Sequence, residues 1–456
     1  MLRLFKGESG RQMTSIFHRA PSAQLTKAVG GDGVYLFDQD GKRYLDGSGG
    51  AAVSCLGHNH PRVIEAIKRQ LDTLAYAHTA FFTSEPAEEL AELLIGKAPA
   101  SFGKVYFLSG GSEAVETALK LARAYHLARG EPERSIFISR RQSYHGNTLG
   151  ALGVSGNPGR RKPYEPLLQA YDKIAPCYAY REQKAGESIE AYSKRAADEL
   201  EEAIIRNGPK RVAAFIAETV VGATLGACPA ERGYLKRIRE ICDAYGVLYI
   251  ADEIMCGMGR TGSTFAFETD GVAPDLVTVA KGLAGGYQAM GAVLAATHVY
   301  DALAAGGFEH GHTYIGHPTG CAAALAVQRV IDEDNLLANV ERRGRDLRAA
   351  LQSYLAPFGV VGDIRGRGLM MGVELVADTA AKTPFSPQRK LSATLKKAAM
   401  ARGLVCYPGG GCVDGERGDH ILLAPPYIIT ESQIDELATL LAAALGDALS
   451  SSKGAR

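Results

Sequence analysis

Lys281 stands in TVAKGLAGGYQAMGAVLAA, directly after a short apolar run and before a glycine-rich turn. A strand ending there carries an ammonium group out of a sheet edge and into a cleft. Burial lowers an amine's pKa because the charged form loses its water, and a neutral amine attacks a carbonyl to form an imine. Taken alone, a loop lysine is usually solvated. Asp252 ends a second apolar run, GVLYIADEI, and brings a carboxylate to the same edge. Alone it reads as a helix cap or a surface ion pair. Beside an imine-forming lysine it has a further use. A buried carboxylate can keep a pyridine nitrogen protonated, and that cation withdraws electrons from a carbanion at the attached carbon.

Two further segments fit the same chemistry. In LSGGSEAVETALKLAR, Ser109, Gly110, Gly111 and Ser112 form a small-residue turn leading into a helix. The free amides at that N-terminus make an anion site. The GxxxxGK[ST] spacing of a nucleotide loop is absent, so a phosphate monoester fits better than ATP. In SYHGNT, Tyr144 offers a ring to a flat aromatic ligand, and Gly146 permits close approach. As an isolated motif, SYHGNT is more often only a loop.

These residues need elements to hold them. Short apolar runs at 105–108, 136–138, 212–216, 247–250 and 276–279 alternate with amphipathic helices, the rhythm of a mostly parallel sheet covered on both faces. Helices are predicted over 112–129 and 234–245, stopped by Gly130 and Gly246. Upstream, residues 30–46 alternate around Asp40-Gly41 as a hairpin, and packing helices follow near Val63 to Leu74 and Leu90 to Leu94. After Cys321 the pattern predicts a long helix, a strand at 369–375, a helix over 387–402, and a last helix opened by a Thr430/Gln433 capping box. The division expected is an N-terminal segment, 1–60, joining a small α+β domain at 326–456, with a large domain between, 61–325.

Composition narrows the function. The chain has 456 residues, 46% hydrophobic and 22% charged, the balance of a globular protein long enough for two or three domains. Lys and Arg number 51 against 50 Asp and Glu, which offers no net field to nucleic acid or an anionic membrane. The eight cysteines show no zinc spacing and read as reduced thiols. The first twenty residues lack the apolar stretch of a leader, and no run is long enough to span a membrane, so a cytoplasmic protein is expected.

In motif content and order the chain resembles the class III, or omega, aminotransferases of the fold type I pyridoxal 5'-phosphate enzymes. The resemblance rests on SGGSEAVETALKLAR, SYHGNT, AFIAETVVGA, ADEIMCGMGRTG, AKGLAGGYQAMGAV and GHTYIGHPTGCAAA, and it covers nearly the whole chain. It implies an α/β fold, a large domain with a mostly parallel seven-stranded sheet between helices plus a smaller α+β domain. It also implies pyridoxal 5'-phosphate as cofactor. Lys281 would be the Schiff-base lysine and proton shuttle, and Asp252 the partner of the pyridine nitrogen. Tyr144 and Ile254 would flank the ring. Gly110, Gly111 and Ser112 would bind the phosphate, with His145 and Gly146 beside them. Thr313 would reach the phosphate of the neighbouring subunit, making a homodimer with shared sites, possibly assembled further into a tetramer. Glu218 would lie near the cofactor and pair with a mobile arginine, for which Arg417 is the best candidate. A swinging arginine there would admit both carboxylates and uncharged amines.

Several positions depart from the family pattern. Gly110 replaces a serine, leaving phosphate binding to backbone amides. Ala52 falls near where several aromatic-amine transaminases carry tryptophan, which opens that wall and leaves Phe81 or Phe82 to supply an aromatic one. Met255 stands where some relatives using 4-aminobutyrate or ornithine have glutamine. The resulting expectation is a ping-pong transaminase taking an omega-amino acid or primary amine as donor and a keto acid, pyruvate before 2-oxoglutarate, as acceptor. An aminomutase or a decarboxylase is an alternative within the same cofactor class. From other classes come a non-enzymatic binding protein on the same fold and a dinucleotide-binding dehydrogenase. The latter rests on Gly257, Gly259 and Gly262, which satisfy GxGxxG, but no amphipathic helix follows them. His58 and His60, or His310, His312 and His317, follow no zinc pattern. No metal is expected.

Overall fold

The structure, a computed structural model, describes residues 14–21, 23 and 25–451. Residues 1–13 of the stretch read for a leader, and the tail 452–456, lie outside the described residues.

Val212–Glu218 is buried at every position and Leu248–Asp252 likewise, because both faces of the sheet they form are covered. The strand order is Phe102–Leu108, Gly291–Ala296, Leu276–Val279, Leu248–Asp252, Val212–Glu218, Ile136–Arg140, Asp172–Ile174. Gly291–Ala296 is antiparallel to both neighbours, so the other six strands point the same way. Alternation along the strands sorts the core into two layers. Ala214, Ile216 and Ile250 face Ala114, Val115 and Ala118 of helix Gly111–Ala128. Phe215 and Tyr249 face Leu200, Leu235 and Ile238 of helices Ile189–Asn207 and Tyr234–Tyr245. Gly130 and Gly246, with φ of 73° and 61°, end two of these helices in the left-handed region.

Two of the seven strands escaped the sequence reading. Asp172–Ile174 has only three residues, two of them charged. Gly291–Ala296 is rich in alanine and has a single β-branched residue, Val293, so its strand signal is weak.

The remaining strands form two smaller sheets. One runs Val361–Arg367, Met370–Leu375, Asp419–Leu423, Tyr407–Gly410. The other joins Ala28–Asp32, Tyr35–Asp38 and Arg43–Asp46 to Leu404–Val405, with Leu45 opposite Leu404. Val34, Leu45 and Leu56 thus share a core with Val340, Val373, Leu437 and Leu441. We propose that this core marks the small domain, 1–60 with 326–456, against a large domain at 61–325.

Two helices depart from expectation. The long helix is two, Pro318–Glu333 and Leu336–Leu355, split at Asn335, whose φ of 50° asparagine tolerates. The helix expected over 387–402 is a single 3-10 turn, Pro387–Arg389, then Leu391–Ala401, with Lys390 at φ 48° between them. The capping box forms as read. The Thr430 N–H donates to Gln433 Oε1 at 2.9 Å, and the Gln433 N–H donates to Thr430 Oγ1 at 3.3 Å.

Candidate active site

Like-directed strands bring their C-terminal ends to one edge, and there the chain places its chemistry. Glu218 and Asp252 are the last residues of adjacent strands and stand opposite each other in register. Lys281 follows the next strand, Tyr144 and His145 follow Ile136–Arg140, and Ser109 to Ser112 follow Phe102–Leu108. These residues line one cavity of about 730 Å³.

Lys281 sits at a φ of 45°, just past its strand, and its Nζ makes no hydrogen bond or ion pair among the described residues. Desolvation pushes its pKa down to about 8, against the opposing pull of Asp252. A useful fraction of neutral amine therefore exists near neutrality. Asp252 is held from two sides. The His145 Nδ1–H donates to its Oδ2 at 2.7 Å, and the Ile254 N–H donates to its Oδ1 at 3.0 Å. The buried His145 ring is fixed in that tautomer by its carboxylate partner, and its Nε2 has no partner.

Glu218 accepts from the Tyr144 N–H at 3.3 Å and lies 3.7 Å from the buried Arg140 guanidinium. Burial raises its pKa, while His145 and Arg140 oppose the rise. Arg140 also donates to the Glu218 carbonyl. Behind Asp252, Glu253 is fully buried and accepts from the Thr219 hydroxyl, the Ala266 N–H at 2.7 Å and the Phe267 N–H at 3.3 Å.

At the other end of the cavity helix Gly111–Ala128 begins, with Gly110 as its extended N-cap. Its first-turn amides have no acceptor within the helix. A Cβ at Gly111 would press on Ile254 at 3.0 Å, so glycine lets the turn close on the residue expected to flank a ring. Gly146 has a different reason from the one read in sequence. At φ 140°, a Cβ there would lie 2.7 Å from Ser112 Oγ, so the close approach is to the phosphate turn itself. Ser112 Oγ accepts from the Asn147 N–H at 2.9 Å and ties the two loops together.

The residues fit pyridoxal 5'-phosphate. They supply an amine with a lowered pKa, a carboxylate held by two donors, an imidazole nitrogen without a partner, and helix-start amides for a phosphate.

The structure gathers Lys281, Asp252, Glu218, Gly110, Gly111, Ser112, Tyr144, His145, Gly146 and Ile254 on this cavity, and leaves five predicted site residues off it. Ala52 is 2% exposed and turned into the fold at φ 63°, while its neighbours Ala51 and Val53 line the wall. Phe81 and Phe82 are exposed, as is Thr313, whose carbonyl accepts from the Tyr76 hydroxyl at 2.8 Å. Arg417 is exposed and paired with Asp414 at 2.6 Å, and Glu218 has Arg140 beside it instead. Sequence reasoning missed Arg160, Arg19 and Tyr407, which line the cavity from a helical turn, a loop and a distant strand and carry no motif.

The rival motifs lose their context here. Gly259 and Gly262, with φ of 95° and 100°, form tight turns that lead into a short 3-10 turn, Ala266–Asp270. Between them Arg260 is buried and donates to the Leu369 and Pro425 carbonyls. Among the described residues no group of three or more His, Cys, Asp or Glu is placed to hold a metal ion, and no helix is long and apolar enough to cross a membrane. All eight cysteines are free and buried.

Comparison with known proteins agrees with this geometry. The family model "Aminotransferase class-III" matches residues 18–445. The aminotransferase C1771.03c of Schizosaccharomyces pombe is 45% identical, covering 93% of this chain and 94% of its own length. The chloroplastic gamma aminobutyrate transaminase 3 of Solanum lycopersicum is 36% identical over 91% of this chain and 79% of its own. The solved structure of an (S)-enantioselective omega-transaminase from Thermomicrobium roseum superposes with a TM-score of 0.88 at 37% identity, covering 94% of each chain. The chain belongs to the class III aminotransferases, fold type I enzymes whose pyridoxal 5'-phosphate chemistry is the kind a partly neutral lysine beside buried carboxylates can serve.

Proposed function

We propose that this aminotransferase takes the amino group of an omega-amino acid or primary amine, releases the carbonyl product, and then passes the group to a keto acid, with pyruvate the expected acceptor. The observation that carries the reading is Lys281, desolvated and without a partner, facing Asp252 across a cavity with room for a small donor. Met255 on the cavity wall offers a thioether rather than an amide to a second carboxylate, which favours pyruvate. Two arginines lining the same cavity, Arg19 and Arg160, favour the second reading, 2-oxoglutarate as acceptor.

When bound, the cofactor supplies a carbonyl carbon that takes the amino group and a ring that accepts the electron pair left at the substrate carbon. The protein does the rest. Asp252, which accepts from the His145 Nδ1–H and the Ile254 N–H, would hold the ring N–H. The first-turn amides at Gly111 and Ser112 would hold the phosphate. Tyr144 and Ile254, both on the cavity wall, would flank the ring and exclude water. Lys281 Nζ would take the proton from the substrate carbon and return it on the cofactor side, a task suited to an amine near pKa 8.

The assembly proposed is a homodimer with shared sites. Thr313 is exposed and off its own cavity, where it is free to reach the partner's phosphate. The buried free thiols support a cytoplasmic setting.

The test is an absorbance spectrum of the purified protein and of Lys281→Ala, before and after β-alanine or a simple amine, then pyruvate or 2-oxoglutarate. A visible band should require Lys281, vanish with donor and return with acceptor. A band indifferent to every donor would point to a mutase or decarboxylase, and no band even with added cofactor would refute the reading.

A further inference from the structure

Arg160 and Arg161 are adjacent, yet the fold treats them oppositely. Arg161 is buried, and its guanidinium donates to the carbonyls of Leu152, Gly153 and Ser155 at 2.7 to 3.0 Å and to Glu165 at 2.9 Å. It anchors the helical turn Pro158–Arg161. Asn157 caps that turn, its Oδ1 accepting from the Arg160 N–H at 3.1 Å.

On this fixed base, the Arg160 side chain points to the cavity. Its guanidinium carbon lies 4.3 Å from the centre of the Tyr144 ring. It makes no ion pair and no side-chain hydrogen bond among the described residues. Among the described residues the only acids lining the cavity, Glu218 and Asp252, are already engaged by Arg140 and His145. Arg417, by contrast, is bound to Asp414 on the exposed loop that packs against Pro158 and Gly159.

A guanidinium held over an aromatic face keeps its five donors free at its edge, in the fork geometry that matches a carboxylate. We propose that Arg160 receives the carboxylate of amino-acid donors and of the keto-acid acceptor, selecting them over amines with an uncharged tail. This rests on the transaminase reading above. It assigns carboxylate recognition to a residue already inside the cavity, where Arg417 would first have to leave Asp414.

The matched pair 4-aminobutyrate and n-butylamine, which differ by one carboxylate, isolates the effect. Single-turnover loss of the holoenzyme band gives the rate against concentration for each. Arg160→Gln should lower the preference for 4-aminobutyrate over n-butylamine about 10- to 100-fold, through the half-saturating concentration rather than the maximal rate. Arg160→Lys should regain part of that loss. Titration calorimetry of the holoenzyme with butanoate should show the same weakening in Arg160→Gln without any turnover.

An unchanged preference in Arg160→Gln overturns the assignment. So does an equal fall for both amines, which marks a structural role, or a loss carried by Arg417→Gln instead. A parent protein that binds butanoate through Arg160 but reacts with neither amine would refute the proposed donor class and leave this site standing.

Discussion

Lys281 Nζ loses its water without gaining a partner, so its pKa falls from 10.5 to about 8. Only the neutral amine attacks a carbonyl. The rate at which cofactor-free protein captures pyridoxal 5'-phosphate should therefore rise with pH and level off above about 8, where a lysine at its ordinary value would keep rising. Asp252 pulls the other way, since its negative charge favours the ammonium. Asp252→Asn should move the plateau to lower pH while weakening retention of the cofactor. Stopped-flow absorbance across pH 6 to 10 reads both, and a rate still climbing at pH 10 in the parent would contradict the placement of Lys281. Lys281 and Asp252 were legible in sequence because each closes an apolar strand. Arg160 was not, because an arginine pair after a turn reads as solvated until folding sends one inward and one to the cavity.

At the scale of elements, the turn after Asp252 hangs on Glu253, whose three donors come from Thr219, Ala266 and Phe267. Glu253→Gln turns one acceptor into a donor facing an N–H and should cost about 1–3 kcal/mol. Burial raises the Glu253 pKa from 4.5 to about 7. In that window the folded protein holds a proton that the unfolded chain has lost, so this group's contribution falls as pH rises from 4.5 through 7. The gap in thermal midpoint between parent and Glu253→Gln should be widest near pH 4.5 and narrow above 7. A gap that widens with pH would reverse the assignment. The strands with β-branched runs and the capping box at Thr430 were legible because their signals are local. Gly291–Ala296 was not, because alanine and glycine become a strand there only through pairing with Leu276–Val279 and Phe102–Leu108.

For the whole molecule, Phe81, Phe82 and Tyr314 stand 80%, 67% and 59% exposed on one chain, with Thr313 next to Tyr314 in sequence. Aromatic groups left bare in this way call for a covering surface. In the proposed homodimer, Phe81→Asp combined with Phe82→Asp should weaken association about 100-fold or more, as expected when interface anchors are replaced by charges. Sedimentation should then show monomers at concentrations where the parent is dimeric, and cofactor should be released on dilution. A variant that stays dimeric and retains cofactor would remove the support for a shared site.

The sequence by itself determined the chemistry. Strand ends, glycine turns and a helix start are local features, and the types and order of Lys281, Asp252, Gly111, Ser112 and Tyr144 already specify an amine, a carboxylate, an anion site and a ring. The tertiary structure alone decided what surrounds them. That Asp252 is held by His145, that Gly146 makes room for Ser112, that Ala52 turns inward, and that Arg160 rather than Arg417 lines the cavity all depend on contacts between segments far apart in the chain. Such contacts follow from packing, and packing leaves no periodic trace in sequence.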